Sequence, residues 1–261
     1  MRWTALRRKK PEWINHLFCT PSRHRSPLQW LQRLSGFRFD KAIVSHGRLK
    51  DTLVRGNLYR SIELSPNDLN SVRSNPCFQL EESITARAHL RERLGLDEST
   101  WIAGAVAPLI PRSRLKDLIW ATDLLSVIRA DFHFVIFGSG SQYQRLQTFA
   151  RLTEAADRVH FLGEPEGAWS MFQGLDVFWQ SHLHEPLAQN VLAAMWARIP
   201  VISVLGPGLA ELIKHQQTGL GVNFGARDEF ARWTKYLIEQ TASAIMIRDQ
   251  AREFVENRWK P

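Results

Sequence analysis

Three short apolar runs decide the fold of this chain: VHFLG at 159–163, LDVFWQ at 175–180 and PVISVLG at 200–206. Each run is followed by a helical pattern, and SHLHEPLAQNVLAAM at 181–195 lies between the second run and the third. Apolar runs of this length that alternate with helices are typical of parallel strands covered on both faces. In such sheets ligands bind at the carboxyl ends of the strands, where helix N-termini present free backbone N–H groups to anions.

The same alternation covers most of the chain and predicts a doubly wound α/β domain. Six strands are expected near residues 102, 133, 159, 176, 201 and 221, in a mainly parallel Rossmann-like sheet with helices on both faces. Helices are predicted at 84–94, 228–238 and 242–254. After the first of the six strands, apolar side chains and one threonine recur with the 3.6-residue period of an amphipathic helix: Leu115, Leu118, Ile119, Thr122 and Leu125.

The chain divides by pattern into four parts. Residues 1–35 form a basic arm with three prolines, and residues 84–240 form the α/β domain, followed by a C-terminal helix over 241–261. Between them, residues 36–83 contain a predicted strand at 40–45, a helix at 46–55, a second strand at 59–64 and a linker rich in proline, asparagine and serine. This strand-helix-strand segment is too short to bury a core of its own.

Composition predicts a soluble globular protein: of 261 residues, 44% are hydrophobic and 23% are charged. Cys19 and Cys77 have no metal-binding spacing, and the reducing cytoplasm is the expected compartment. No apolar run approaches the roughly 18 residues of a membrane span, and the N-terminus lacks the apolar core of a signal peptide. We therefore expect a cytoplasmic protein.

Positive charge is concentrated at the N-terminus. The whole chain has a formal charge of +8, yet residues 1–60 contain 14 Lys or Arg and three acids, so the remaining 201 residues are net negative. One interpretation is a solvated arm, and the other is a basic surface that holds the protein at an anionic membrane. No nucleic-acid-binding motif accompanies the charge, and nucleic acid is not an expected partner.

Eight landmarks stand in a fixed order: VAPLIPRS at 106–113, GSGS at 138–141, DRVHFLG at 157–163, LDV at 175–177, EPL at 185–187, PVI at 200–202, ELI at 211–213 and TGL at 218–220. In this order and spacing they resemble the donor-binding C-terminal half of the family 4 retaining glycosyltransferases. The resemblance covers about residues 84–237. It implies two Rossmann-like domains in the family, a nucleotide-diphosphate sugar as donor, and transfer of a hexose to an acceptor.

The family's charged contacts are mostly missing here. In the family an Arg and a Lys on the first loop neutralise the diphosphate leaving group, and two glutamates bracket the site helix. The corresponding positions are Pro108, Ser113 and Ala193, and of these groups only Glu185 remains, as the candidate catalytic residue. The resemblance therefore predicts a glycosyltransferase with impaired or lost catalysis.

The remaining candidate contacts to the donor are partly backbone groups. We expect them at the glycine turn, at the start of the site helix and at two nearby arginines that either reach the phosphates or cap the following helix: Gly138, Ser139, Glu185, Ala188, Gln189, Asn190, Arg112 and Arg114. His182 and His184 are two residues apart without a third ligand, so no metal site is predicted. No cofactor is expected besides the donor sugar nucleotide.

The resemblance also implies that residues 36–83 are a remnant of the acceptor-binding domain. The exposed apolar surface of such a remnant predicts self-association or a partner chain. Three functions stay open from the sequence: a working hexosyltransferase, a non-catalytic nucleotide-binding or protein-interaction module, and a truncated fragment that needs a partner chain.

Overall fold

The computed structural model describes residues 84–163, 169–182, 188–206 and 209–258, together with the backbone of three strands nearer the N-terminus. The chain divides into two compact units, Met1–Asn67 and Asp68–Pro261. The predicted helix at 46–55 and the linker at 66–83 lie outside the described residues.

The N-terminal unit contains a three-stranded parallel sheet. Its strands are β1 (Ile14–Leu17), β2 (Phe39–Val44) and β3 (Tyr59–Leu64), in the order β1-β2-β3. The two strands predicted at 40–45 and 59–64 are confirmed as β2 and β3. Strand β1 lies within the predicted basic arm, where the sequence predicts no strand, because four residues are too few for a periodic pattern to be recognised.

The C-terminal unit is built on a six-stranded sheet in which every neighbouring pair is parallel. The strand order is β6-β5-β4-β7-β8-β9, which confirms the predicted fold. The strands are β4 (Trp101–Val106), β5 (Phe132–Phe137), β6 (Val159–Gly163), β7 (Val177–Gln180), β8 (Val201–Val204) and β9 (Leu220–Val222).

Helices cover both faces of this sheet. They are α1 (Ile84–Leu94), α2 (Leu115–Ser126), α3 (Tyr143–Leu152), α4 (Trp169–Phe172), α5 (Ala188–Trp196), α6 (Leu209–Leu212), α7 (Arg227–Glu239) and α8 (Thr241–Arg258), with 3-10 turns at Pro111–Ser113 and Ala156–Arg158. The five predicted core positions of α2 are all buried.

The core lies in two layers because successive strand residues point to opposite faces. One layer joins the strands to α2, α3 and α7, and the other joins them to α1, α4, α5 and α6, while α8 contributes side chains to both. The chain runs outward from β4 to β6, returns to β7 beside β4, and then runs outward to β9. This reversal opens a crevice at the carboxyl ends of β4 and β7, which is where ligands bind in such sheets.

A buried ion pair holds the opposite edge of the sheet. Asp176, immediately before β7, accepts a hydrogen bond from the backbone N–H of Ile102 in β4 at 2.8 Å and pairs with Arg91 of α1 at 2.5 Å. Arg87 pairs with its other oxygen. Arg91 is only 1% exposed and also donates to the Thr100 carbonyl at 3.0 Å. Burial, with Arg87 nearby, lowers the pKa of Arg91 to about 10, so it is charged at neutral pH.

Candidate functional site

The crevice is bordered by the loops that follow β4, β5 and β7 and by the first turn of α5. The first loop runs through 107–114, the second through 138–142, and the third leaves β7 at residue 181. Helix α5 begins at Ala188, so its first-turn N–H groups lie at this edge, as predicted. Glu185, the candidate catalytic residue, and His184 lie outside the described residues.

The glycine turn after β5 packs against the loop after β4. The Leu109 N–H donates to the Ser139 carbonyl at 2.7 Å, and the Gln142 N–H donates back to the Leu109 carbonyl at 2.8 Å. A Cβ on Gly138 would lie 2.0 Å from the Ala107 carbonyl oxygen, a distance that no side chain permits. Glycine is therefore required here because two stretches of the chain's own backbone approach closely.

The two positions where the resembling family carries its loop cations are joined to each other. Ser113 is 2% exposed, and its hydroxyl donates to the Pro108 carbonyl at 2.6 Å. The Ser113 carbonyl in turn accepts a hydrogen bond from the Ser181 hydroxyl at 2.7 Å. These bonds fix the first loop to the end of β7 and satisfy the Ser113 hydroxyl internally. Ser113 is therefore not a donor toward the crevice.

The two candidate arginines differ in their surroundings. Arg114 has a left-handed backbone with φ of 53°, pairs with Asp117 at 2.5 Å and stacks over the Phe224 ring at 4.5 Å. This pairing fits the alternative in which Arg114 stabilises the start of α2. Arg112 is exposed on the 3-10 turn and forms no ion pair within the part of the chain that the structure describes. Arg112 is therefore the cation of this loop that is free to meet a phosphate.

The first turn of α5 is attached directly to the central strand. Asn190 is 6% exposed, and its side-chain amide donates to the Val106 carbonyl at the end of β4, at 3.4 Å. Gln189 beside it is exposed. Ala193, which stands at the family's second glutamate position, is 1% exposed and packs in the apolar layer. The helix start is thus held in place, and the position of the family's second glutamate is part of the core.

Sequence reasoning missed a buried polar group at the end of β7. Gln180, Ser181 and His182 are each at most 3% exposed, and the Gln180 amide lies 3.3 Å from His182 Nδ1. Their signal in the sequence is a run of three polar residues that begins with the last residue of an apolar strand. From the sequence, His182 is considered only as a metal ligand, whereas in the structure its neighbour Ser181 connects β7 to the first loop.

A pair of stacked histidines lies away from the crevice, on the neighbouring strands β5 and β6. His133 Nδ1 and His160 Nε2 are 2.9 Å apart, with ring centroids separated by 5.2 Å. Burial, followed by the charges of His160 and Arg158, lowers the pKa of His133 to about 4. Burial also lowers the pKa of His160. Both rings are therefore neutral at physiological pH.

The residues that the structure describes contain neither a metal site nor a membrane span. No group of three or more His, Cys, Asp or Glu there is arranged to hold a metal ion. None of the helices in that part of the chain combines the length and the apolar character needed to cross a membrane.

Comparison with known proteins gives consistent relatives. The family model "Glycosyl transferases group 1" matches residues 86–254. The lipopolysaccharide core biosynthesis glycosyltransferase LpsE of Rhizobium meliloti is 27% identical over 119 residues, covering 45% of this chain and 35% of LpsE. The GDP-mannose-dependent alpha-(1-6)-phosphatidylinositol monomannoside mannosyltransferase of Mycobacterium tuberculosis is 26% identical over 221 residues. The match covers 77% of this chain and 52% of the mannosyltransferase. This chain thus spans about half or less of the length of these two relatives.

Solved structures show the same fold. HepE of Anabaena, in complex with UDP-glucose, superposes with a TM-score of 0.77 at 19% identity and covers 94% of this chain and 67% of HepE. The C-terminal domain of LpcC from Francisella tularensis, a glycosyl transferase group 1 family protein, superposes with a TM-score of 0.58 at 16% identity. The superposition covers 66% of this chain and 91% of the LpcC domain.

Proposed function

The chain belongs to the group 1 glycosyl transferases, and on that premise we propose that its crevice binds a nucleotide-diphosphate sugar while hexosyl transfer is strongly reduced or lost. The proposal includes retention of configuration, as in the family 4 enzymes that the sequence resembles. The base, the sugar and the acceptor are left open.

The hydrogen bond between Ser113 and Pro108 is the observation that supports a loss of catalysis. Transfer from a nucleotide sugar develops negative charge on the departing diphosphate, and positioned donors lower that barrier. Removing one such donor costs roughly 10²–10³ in rate, so two lost cations predict a decrease of about 10⁴–10⁶. Here one position is a proline and the other is a buried serine whose hydroxyl is already bonded 2.6 Å away. Neither supplies charge to the leaving group.

Nucleotide binding rests on groups that persist at the same edge. The first turn of α5 presents backbone N–H groups with the positive end of the helix dipole, which suits a phosphate. Asn190 fixes that turn to β4, so the N–H groups are held in position before a ligand arrives. The structural neighbour HepE is in complex with UDP-glucose and with UDP, which supports a nucleotide ligand for this fold.

A working transferase is the second candidate, and Arg112 favours it. Its guanidinium is exposed beside the crevice and has no acidic partner in the described residues, so it is able to replace part of the missing charge. Under the main proposal Arg112 contributes to binding alone. Under the second it also stabilises the leaving diphosphate.

Calorimetric titration with UDP, GDP and ADP, beside initial-rate assays with the matching sugar nucleotides, tests the proposal. We expect one of the nucleotides to bind, Arg112→Gln to weaken it about tenfold, and the matched removal of an exposed charge in Arg93→Gln to leave it unchanged. Pro108→Arg should strengthen binding, since position 108 is exposed and its carbonyl is retained. The proposal fails if none of the three nucleotides binds, or if turnover lies in the ordinary range of about 1–1,000 per second.

Three expectations stay predictions: residues 1–35 contact an anionic membrane, the chain self-associates, and the protein is cytoplasmic. Vesicle sedimentation and light scattering with the full chain would test the first two directly.

A further inference from the structure

An open groove lies on the outer side of α2 and α3. It has a volume of about 520 Å³ and is lined by Lys116 of α2 and, from α3 onward, Gln144, Arg145, Thr148, Phe149 and Leu152. The α3 residues recur at helical spacing and so share one face of the helix. Helix α5 packs on the other face of the sheet, so this groove is separate from the first turn of α5.

The groove has uncompensated positive charge. Lys116 and Arg145 form no ion pair in the described part of the chain, and none of the lining residues is acidic. Both cations stand in the first turn of their helices, which begin at Leu115 and Tyr143. The positive ends of two helix dipoles therefore add to the charge of the side chains. Arg114, the preceding residue, differs because Asp117 neutralises it.

Neutral groups suited to hydroxyls lie beside the cations. The Thr148 hydroxyl donates to the Gln144 carbonyl at 3.0 Å, which fixes its orientation and leaves its lone pairs to accept a hydrogen bond. Among the described residues the Gln144 side-chain amide has no hydrogen-bond partner, so both its donor and its acceptor are available there. This combination matches a ligand that carries hydroxyl groups next to an anion.

Apolar surface completes the groove. The Lys116 ammonium lies 5.1 Å from the centre of the Phe149 ring, which holds the charge against the groove wall. Leu152 is 78% exposed, so a ligand that covers it removes apolar area from water. The volume lies within the range of about 300–1,000 Å³ that small-molecule sites occupy.

We propose that this groove is a second ligand site, which binds a phosphate group carried on a saccharide or polyol. Lys116 and Arg145 take the phosphate, Gln144 and Thr148 take the hydroxyls, and Phe149 and Leu152 cover the C–H face. The site does not depend on the nucleotide site proposed above. Its ligand comes either free in solution or as the headgroup of a membrane lipid.

Titration of the full chain with sn-glycerol 3-phosphate and with glucose 1-phosphate, followed by NMR, tests free ligands. Sedimentation with phosphatidylglycerol vesicles, against phosphatidylcholine vesicles, tests the headgroup. We expect saturable binding of a free phosphate, or of the anionic vesicles alone, that Lys116→Gln with Arg145→Gln weakens at least about tenfold. A saturating nucleotide diphosphate should not displace the ligand, which separates this result from the outcome at the crevice.

The matched control is Arg93→Gln with Arg151→Gln, which removes the same charge from exposed positions of α1 and α3 outside the groove. Circular dichroism and thermal unfolding confirm that both double variants are folded. The inference is overturned if none of the probes binds saturably, or if the control weakens binding as much as the groove variant.

Discussion

Replacing Asp176 by Asn should destabilise the C-terminal unit far more than its single lost charge suggests. The carboxylate is 4% exposed and pairs with Arg91, which is itself 1% exposed. Breaking a buried pair from one side costs about 3–5 kcal/mol, because the remaining charge stays buried without its partner. The Asn oxygen still accepts from the Ile102 N–H, which recovers about 1 kcal/mol. We therefore expect a loss of about 2–4 kcal/mol in the free energy of unfolding.

Urea unfolding followed by tryptophan fluorescence measures this loss, since Trp179 of strand β7 is fully buried. For a domain of this size, about 3 kcal/mol corresponds to a melting temperature lower by about 6–12 °C. The control is Asp249→Asn, because Asp249 and Arg198 lie 4.0 Å apart with side chains 50% and 45% exposed. Such a surface pair contributes at most about 1 kcal/mol. If Asp176→Asn also costs less than about 1 kcal/mol, the role assigned to the buried pair is refuted.

Two further predictions concern pH and the glycine turn. The pKa of His133 is about 4 in the folded chain against 6.5 when unfolded, so the unfolded state binds the proton first and stability falls as pH drops below about 6.5. Between pH 7 and pH 4 the melting temperature should fall less for His133→Gln than for the unsubstituted chain. For the exposed His89→Gln it should fall as much as for the unsubstituted chain. Gly138→Ala should cost about 1–3 kcal/mol and weaken nucleotide binding by calorimetry, whereas Gly95→Ala, with open space around its Cβ, should lower stability and leave binding intact.

The fold of the C-terminal unit was predictable because its strands are short and almost wholly apolar. An apolar run such as 132–137 is stable only when it is buried in the sheet. The segments between such runs then determine where the helices lie. Strand β1 was not predictable, because Ile14–Leu17 gives only four residues and includes polar Asn15 and His16. Strand β1 forms by pairing with β2, and local sequence does not show that these two separate segments pair.

The site was only partly predictable for a related reason. The sequence shows that charge is missing at positions 108 and 113, and that a helix begins near 188. It does not show that the Ser113 hydroxyl turns inward to its own backbone, or that Asp117 takes Arg114. Those contacts depend on side-chain directions set by the 3-10 turn and by the left-handed residue at 114. The sequence left both arginines as candidates, and the geometry distinguishes them.

Phosphorus-31 NMR of stoichiometric protein with UDP-glucose, GDP-mannose and ADP-glucose in turn tests the central claim most directly. One spectrum reports both nucleotide binding and loss of the sugar. The phosphorus signals of a bound diphosphate broaden and shift, and a released nucleoside diphosphate gives a new terminal-phosphate signal. With glycerol and free monosaccharides added as acceptors beside water, we expect one of the three sugar nucleotides to show the bound signal and to stay intact for hours. Rapid appearance of free nucleoside diphosphate, or the absence of a bound signal with all three, would contradict it.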